Sequence, residues 1–337
     1  MTIGAARAPG GADALGELPV ADFVPHLAAG LGLAWNHLPM GRWRSREMVG
    51  RDRELALLRG AADRARSGQP GLVLVTGEAG IGKTRLVREL EEQVPDGLVL
   101  TGHGVDLATG GLPFGVLADT LADLVRKRGG GVVTDAERQL LGPVLPGPVV
   151  ERSDPARVLA GAAALFDRLA KEDLVCWVVE DLQWADDATR DLVSVLGRRQ
   201  SGRLLVVATA RTEALGELPA DASTLRYLDE LGRLPAADTV LLHRLGTDDV
   251  RRLLAGLLDE PLPAEVVRDI VKVGDGVPFV VEELAAARGR PGLSSVAAVA
   301  EARLGALPGG ARRLVEAAAL GEGQLVWPLL EAVVELG

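Results

Sequence analysis

Two hydrophobic periods run along this chain, and the change from one to the other divides it. Leu72-Val73-Leu74-Val75-Thr76 is apolar and β-rich without a break, the pattern of a strand buried on both faces. Apolar residues then recur at 86, 87, 90 and 94, the spacing of one helix face. Leu174-Val175-Cys176-Trp177-Val178-Val179 is a second continuous run and 203–209 a third. Further strands are predicted at 97–101, after the turn Pro95-Asp96-Gly97, and at 239–243. Helices are predicted at 53–67, 113–128, 155–171 and 186–199, and Gly142 to Pro148 reads as a loop. The third helix has Ser153 or Asp154 as a cap and Pro155 at its first position. Strands alternating with helices predict an α/β fold with a parallel, doubly wound sheet. After Gly246 the pattern turns helical throughout, at 247–258, 263–273, 278–288, 293–305, 308–320 and 325–335.

The turn between the first strand and its helix carries the clearest chemistry. Gly77-Glu78-Ala79-Gly80-Ile81-Gly82-Lys83-Thr84 fills G-x-x-x-x-G-K-S/T without a mismatch. Strand, glycine loop and helix are the context that makes this motif the phosphate-binding loop of nucleoside triphosphatases. The glycines let the backbone wrap a phosphate with its N–H groups pointing inward. The helix N-terminus, with Arg85 in its first turn, adds positive potential. Lys83, one of only four lysines in the chain, can reach the β- and γ-phosphates, and Thr84 offers a hydroxyl to Mg²⁺.

Val178-Val179-Glu180-Asp181 closes an apolar strand on two carboxylates. One can hold Mg²⁺ and the other can orient an attacking water; the plainer role for acids between strand and helix is an N-cap. In the continuation Leu182-Gln183-Trp184-Ala185-Asp186-Asp187, Asp186 is expected to cap the next helix and Trp184 to pack. Arg211 ends the third run, Val206-Val207-Ala208-Thr209-Ala210-Arg211. Ligands of open α/β sheets lie at the carboxyl ends of the strands, so Arg211 is placed near a γ-phosphate, with a solvated surface arginine as the alternative. Gly274-Asp275-Gly276-Val277-Pro278-Phe279 reads locally as a turn with Pro at a helix start.

A net charge of −10 argues against broad non-specific nucleic-acid binding, which needs a basic surface. Aromatics make up 3% of the chain, so the core is expected to be Leu, Val and Ala. The lone Cys176 sits in an apolar run and reads as a core residue; one cysteine makes no internal disulfide, which fits a reducing cytoplasm. No apolar stretch reaches membrane-spanning length, and Asp13, Glu17 and Asp22 interrupt any signal-peptide core. Residues 1–47, rich in Ala, Gly and Pro, are expected to be mostly disordered, with a short helix near 21–34. Domain sequence begins right after Met48, so translation is expected to start at Met40 or Met48; peptides from residues 1–39 in the native protein would contradict that.

Five segments occur in an order that resembles the STAND class of signal-transduction ATPases. They are Val49-Gly50-Arg51-Asp52-Arg53-Glu54-Leu55, Gly77–Thr84, Val178–Asp186, Thr209-Ala210-Arg211 and Gly276-Val277-Pro278. The chain is most similar in this respect to the ATPase region of large bacterial LuxR-type transcriptional regulators, over roughly residues 48–335. The resemblance implies ATP or ADP with Mg²⁺ as the bound cofactor. It implies that Val49, Gly50 and Arg51 approach adenine and ribose. Glu180 takes the metal-associated acidic position, Asp181 positions water, and Arg211 matches a γ-phosphate sensor. Pro278 matches the proline by which a helical lid touches bound nucleotide. The implied organisation is a disordered segment to 47, a P-loop ATPase domain at 48–246, a helical lid at 247–290 and a truncated winged-helix-like start at 291–337, where Arg303-Leu304-Gly305-Ala306-Leu307-Pro308 looks like its beginning. Such regulators continue to a helix-turn-helix, which this sequence lacks, so direct DNA binding by this chain is not expected. The apolar segment 325–334 is expected to self-associate or to meet a partner regulator chain. Three functions follow from these readings: a slowly hydrolysing ATP switch, a turnover AAA-type or kinase-like enzyme, and a nucleotide-binding interaction protein without hydrolysis.

Overall fold

The computed structural model describes residues 47–105, 113–145, 154–211, 222–257 and 261–286. The predicted segments 1–46, 146–148 and 293–335, Ser153 and the end of the helix at 278–288 lie outside them. Five strands form one parallel sheet: β1 (Gly71–Gly77), β2 (Leu98–His103), β3 (Val175–Glu180), β4 (Leu204–Arg211) and β5 (Ala237–Leu241). Their order is β2-β3-β4-β1-β5, so β4 is central and β1 lies between it and the edge strand β5, with Val73 opposite Val207 on one side and Asp238 on the other.

The helices are α1 (Asp52–Arg66), α2 (Lys83–Gln93), α3 (Gly115–Arg128), α4 (Asp135–Leu141), α5 (Pro155–Glu172), α6 (Asp187–Gly197), α7 (Ala222–Gly232), α8 (Thr247–Leu257), α9 (Ala264–Gly274) and α10 (Pro278–Ala286). The continuous apolar strands are explained by burial on both faces. Val73, Val75, Cys176, Val178, Leu205 and Val207 pack on one side with α1 and α2. Leu72, Leu74, Val175, Trp177, Val179, Val206 and Ala208 pack on the other with α3 to α7. Strands β1 to β4 alternate their side chains between the two clusters, as the pleat requires. This is the parallel, doubly wound α/β sheet of P-loop NTPases that the pattern predicts.

Among the described residues, Trp177 is the largest fully buried side chain. Its Nε1 donates to Thr120 Oγ1 of α3 at 3.0 Å, and its ring lies 5.0 Å from that of Phe166 on α5. Cys176 is buried as expected, and burial pushes its thiol up to about 12, so it stays protonated and unreactive at neutral pH.

The predicted boundaries move in places. The last strand falls at Ala237–Leu241, two residues before the predicted 239–243. Residues Gly142–Val144 of the predicted loop form a 3₁₀ turn. Two helices, α4 and α7, were not predicted. Helix α4 begins on a capping box: the Thr134 hydroxyl accepts from Glu137 N–H, and the Glu137 carboxylate accepts from Thr134 N–H. Asp154 caps α5 by accepting from Ala156 N–H at 3.0 Å, with Pro155 at the first helical position.

Helices α8 to α10 form a third, smaller cluster around Leu245, Val250, Leu253, Leu254, Ile270 and Val281, with Val49 packed against it. The residue that leads into domain sequence therefore joins the helical part to the sheet.

Candidate functional site

Strand β1 delivers the phosphate loop at the carboxyl edge of the sheet. Gly80 has a φ of 72°, a conformation open to glycine at no steric cost. A Cβ there would stand 2.9 Å from Phe279 Cβ, so the loop also needs a bare backbone because the helical part presses on it. The Phe279 N–H donates to the Gly80 carbonyl at 3.2 Å. Gly276, φ 73°, is likewise forced: a Cβ would collide with the Leu245 carbonyl oxygen. The turn before α10 is thereby held against the segment between β5 and α8, and Leu245 N–H donates to Gly276 O at 2.8 Å.

A cavity of about 430 Å³ opens between loop and helices. Among the predicted residues, Val49, Arg51, Ala79, Gly80, Ile81, Gly82, Lys83, Thr84, Arg85, Asp181, Arg211 and Pro278 line it. Such a volume suits a ligand of nucleotide or drug size. Lys83 is 8% exposed, and its Nζ donates to the carbonyls of Gly77 at 2.8 Å and Glu78 at 2.9 Å. Its charge thus sits over the loop that is to hold phosphate. Arg51 is buried and donates to His243 O at 2.6 Å and Ile81 O at 3.3 Å. Burial lowers its pKa from the ordinary arginine value, opposed by Glu54 and Asp249. Arg51 fastens the start of α1 to the phosphate loop and to the end of β5.

Four predicted residues stand off the cavity wall. Gly77 ends β1 beneath the loop. Gly50 packs against Asp249 and Leu245, where a Cβ would lie 2.7 Å from Asp249 Oδ2. Glu78 turns outward to Arg244, 2.7 Å away, and Arg244 also pairs with Asp275. Glu180 is buried behind Thr84, whose hydroxyl donates to its carboxylate. A threonine hydroxyl and a carboxylate in contact are hard oxygen donors of the kind Mg²⁺ takes together with phosphate oxygens and water, so the pair fits that ion.

Asp181 and Arg211 meet at the cavity edge, Nε to Oδ1 3.6 Å. The Arg211 guanidinium lies over the Trp184 ring, 4.4 Å from its centroid, within cation–π range. Trp184 therefore does more than pack. Asp186 caps α6, accepting from Thr189 N–H at 2.9 Å, and its other oxygen accepts from Phe114 N–H. Beside these acids, His103 at the end of β2 bonds Asp119 at 2.7 Å. That bond raises the His103 pKa, burial opposes it, and the charges of Asp119, Glu180 and Asp181 add to the rise.

The sequence reading missed part of the wall: Met48, Leu245, Leu253, Phe279, Glu282 and Arg88. Phe279 and Glu282 were findable, since they flank or follow Pro278 within one helix. Leu245 and Leu253 carry no signal beyond helical periodicity.

Comparison with known proteins adds two distant likenesses. An uncharacterised protein of Rhizobium meliloti (strain 1021) is 25% identical, over 85% of this chain and 31% of its own length. A STAND protein with a tetratricopeptide repeat sensor from Pyrococcus horikoshii is 16% identical with a TM-score of 0.49, over 79% of this chain and 34% of that one. The chain spans about a third of the length of each. Residues 47–207 match the family model of the AAA ATPase domain, a stretch that holds the phosphate loop and the two acids at the end of β3.

Proposed function

We propose that this chain is the ATP-binding switch module of a bacterial signal-transduction regulator of the STAND class, similar to LuxR-type regulators, acting in the cytoplasm and hydrolysing ATP slowly. One observation carries the reading. Pro278 and Phe279 of the helical part line the same cavity as Lys83, Asp181 and Arg211. A ligand there touches sheet and helices at once, which is what a lid at 247–290 on a P-loop domain at 48–246 needs.

The roles follow from chemistry. Val49 and Arg51 face the base and ribose, while Gly80 to Thr84 wrap the phosphates. Mg²⁺, when bound by Thr84 and Glu180, neutralises phosphate charge. Asp181 accepts a proton or orients water, and Arg211 meets the terminal phosphate. Switching requires that ATP and ADP bind the two arrangements differently; about 1.4 kcal/mol of differential binding moves the populations tenfold. Fast turnover is not required. Output passes through self-association or a partner chain. No helix among the described residues is long and apolar enough to cross a membrane.

Limited proteolysis of the full chain tests the switch. Mg-ADP and a non-hydrolysable Mg-ATP analogue should protect different bonds between residues 246 and 286. Identical patterns, with equal thermal stabilisation by both nucleotides, would discard the switch in favour of a nucleotide-binding interaction protein.

A further inference from the structure

One side chain joins the ends of β3 and β4. Gln183 lies in the 3₁₀ turn Leu182–Trp184. Its Nε2 donates to Asp181 Oδ1 at 2.9 Å, and its Oε1 accepts from the backbone N–H of Arg211 at 3.2 Å. Its own carbonyl accepts from Arg190 Nη2 at 3.0 Å. Arg190 in turn reaches Thr224 Oγ1 at 3.2 Å, with its guanidinium 5.7 Å from the Tyr227 ring centroid. Gln183 is thus anchored from behind by α6 and α7, and in front it holds two residues of the cavity wall.

Its primary amide suits the place. A donor and an acceptor at the end of one flexible stem satisfy a carboxylate and a backbone N–H together. Asp181 needs the support: its φ of 54° is left-handed, uncommon for a residue with a Cβ. Its N–H donates to Thr209 Oγ1 at 3.0 Å, which ties its backbone to β4. Gln183 then fixes its carboxylate, and Arg211 pairs with the same oxygen.

We propose that Gln183 is a positioning residue that couples Asp181 to Arg211, so that both respond to the terminal phosphate of a nucleoside triphosphate as one unit. The proposal rests on the nucleotide reading above. A terminal phosphate competes with Asp181 for the Arg211 guanidinium. When Arg211 turns to the phosphate, the Gln183 amide keeps the carboxylate in place and the Arg211 backbone in register. Without the amide, Asp181 loses its fixed direction and repels the phosphate, while Arg211 loses its aim. Diphosphate, which does not reach this pair, is indifferent to the change.

The test is a titration of the full chain with fluorescent ADP and with a fluorescent, non-hydrolysable ATP analogue, both with Mg²⁺. Gln183→Met keeps the length and removes both polar contacts. Gln183→Glu keeps the acceptor and sets a second negative charge beside Asp181. Each variant should hold ADP within about twofold of the parent and weaken the triphosphate about tenfold, the scale of a hydrogen bond to a charged group. Melting curves show which variants are folded, and either one suffices. Equal weakening of both nucleotides, or no change in triphosphate affinity, would overturn the proposal. If the parent bound neither nucleotide and matched Lys83→Ala, the nucleotide reading itself would fall, and this proposal with it.

Discussion

Lys83→Ala is expected to weaken Mg-ATP binding about 100- to 1,000-fold. The size follows from the loss of two or more charge-assisted hydrogen bonds to phosphate, at about 1.5–3 kcal/mol for each bond to a charged group. Lys83 Nζ is held by the Gly77 and Glu78 carbonyls, so it is already poised over the loop and meets a phosphate by a small rotation of its stem. No second cation replaces it from the loop itself. Arg85 leans toward Glu89 at 3.9 Å, and Arg51 is committed to the His243 and Ile81 carbonyls. Fluorescent-ATP titration of the parent and the variant checks this, with melting curves to show that both are folded. The substitution also removes a largely buried ammonium, so loss of fold is not the expected outcome. Binding of the folded variant within tenfold of the parent would mean that the cavity does not hold phosphate at this loop.

Trp177→Ala is expected to destabilise the fold by about 3–5 kcal/mol, the range for truncating a large buried aromatic. Against a typical total of about 5–15 kcal/mol, that is a large share of the whole. Trp177 lies at the middle of β3, opposite Val206 of β4 and Leu100 of β2. Its ring fills the layer under α3 and α5 beside Phe166. Truncation opens a cavity that strands, with their ladders fixed on both sides, close poorly. Trp177→Phe should cost less, about 1–2 kcal/mol. Phe retains most of the packing, and Thr120 Oγ1 keeps its bond to the Val116 carbonyl at 2.7 Å. Urea denaturation of the full chain measures both. Because β3 ends in Glu180 and Asp181, the alanine variant should also lose nucleotide affinity as temperature rises, before the parent does. Equal midpoints for parent and alanine variant would show that β3 is not the centre of the core.

The phosphate loop, the strand before it and the helix after it were legible because all three are local. Eight consecutive residues hold the motif, and the periods of β1 and α2 lie within fifteen more, 72–76 and 85–94. The same holds for the acids at the end of β3, the arginine at the end of β4 and Pro278 at the start of α10. Helix α4 was also written in the chain, in its Thr134 to Glu137 capping box. At seven residues it is too short for an apolar period to show. The strand at 237–241 was misplaced by two because its burial is one-sided and incomplete, as befits an edge strand.

Tertiary structure alone decided the rest. That β1 lies between β4 and β5 depends on which faces meet, and the runs of β1, β3 and β4 are each apolar enough to fill several places. Glu180 and Asp181 are neighbours in sequence, yet one is buried behind Thr84 and the other lines the cavity beside Arg211, because β3 ends at Glu180 and the chain turns sharply at Asp181, whose φ of 54° is left-handed. Glu78 sits inside the motif but turns to Arg244, more than a hundred residues away. Gln183 reads as a plain polar residue until β3 and β4 stand side by side. Local periodicity fixes which segments are strands and helices, since it acts through each segment's own faces. Partner choice among distant side chains is set by how those faces pack, and no short window of sequence contains that information.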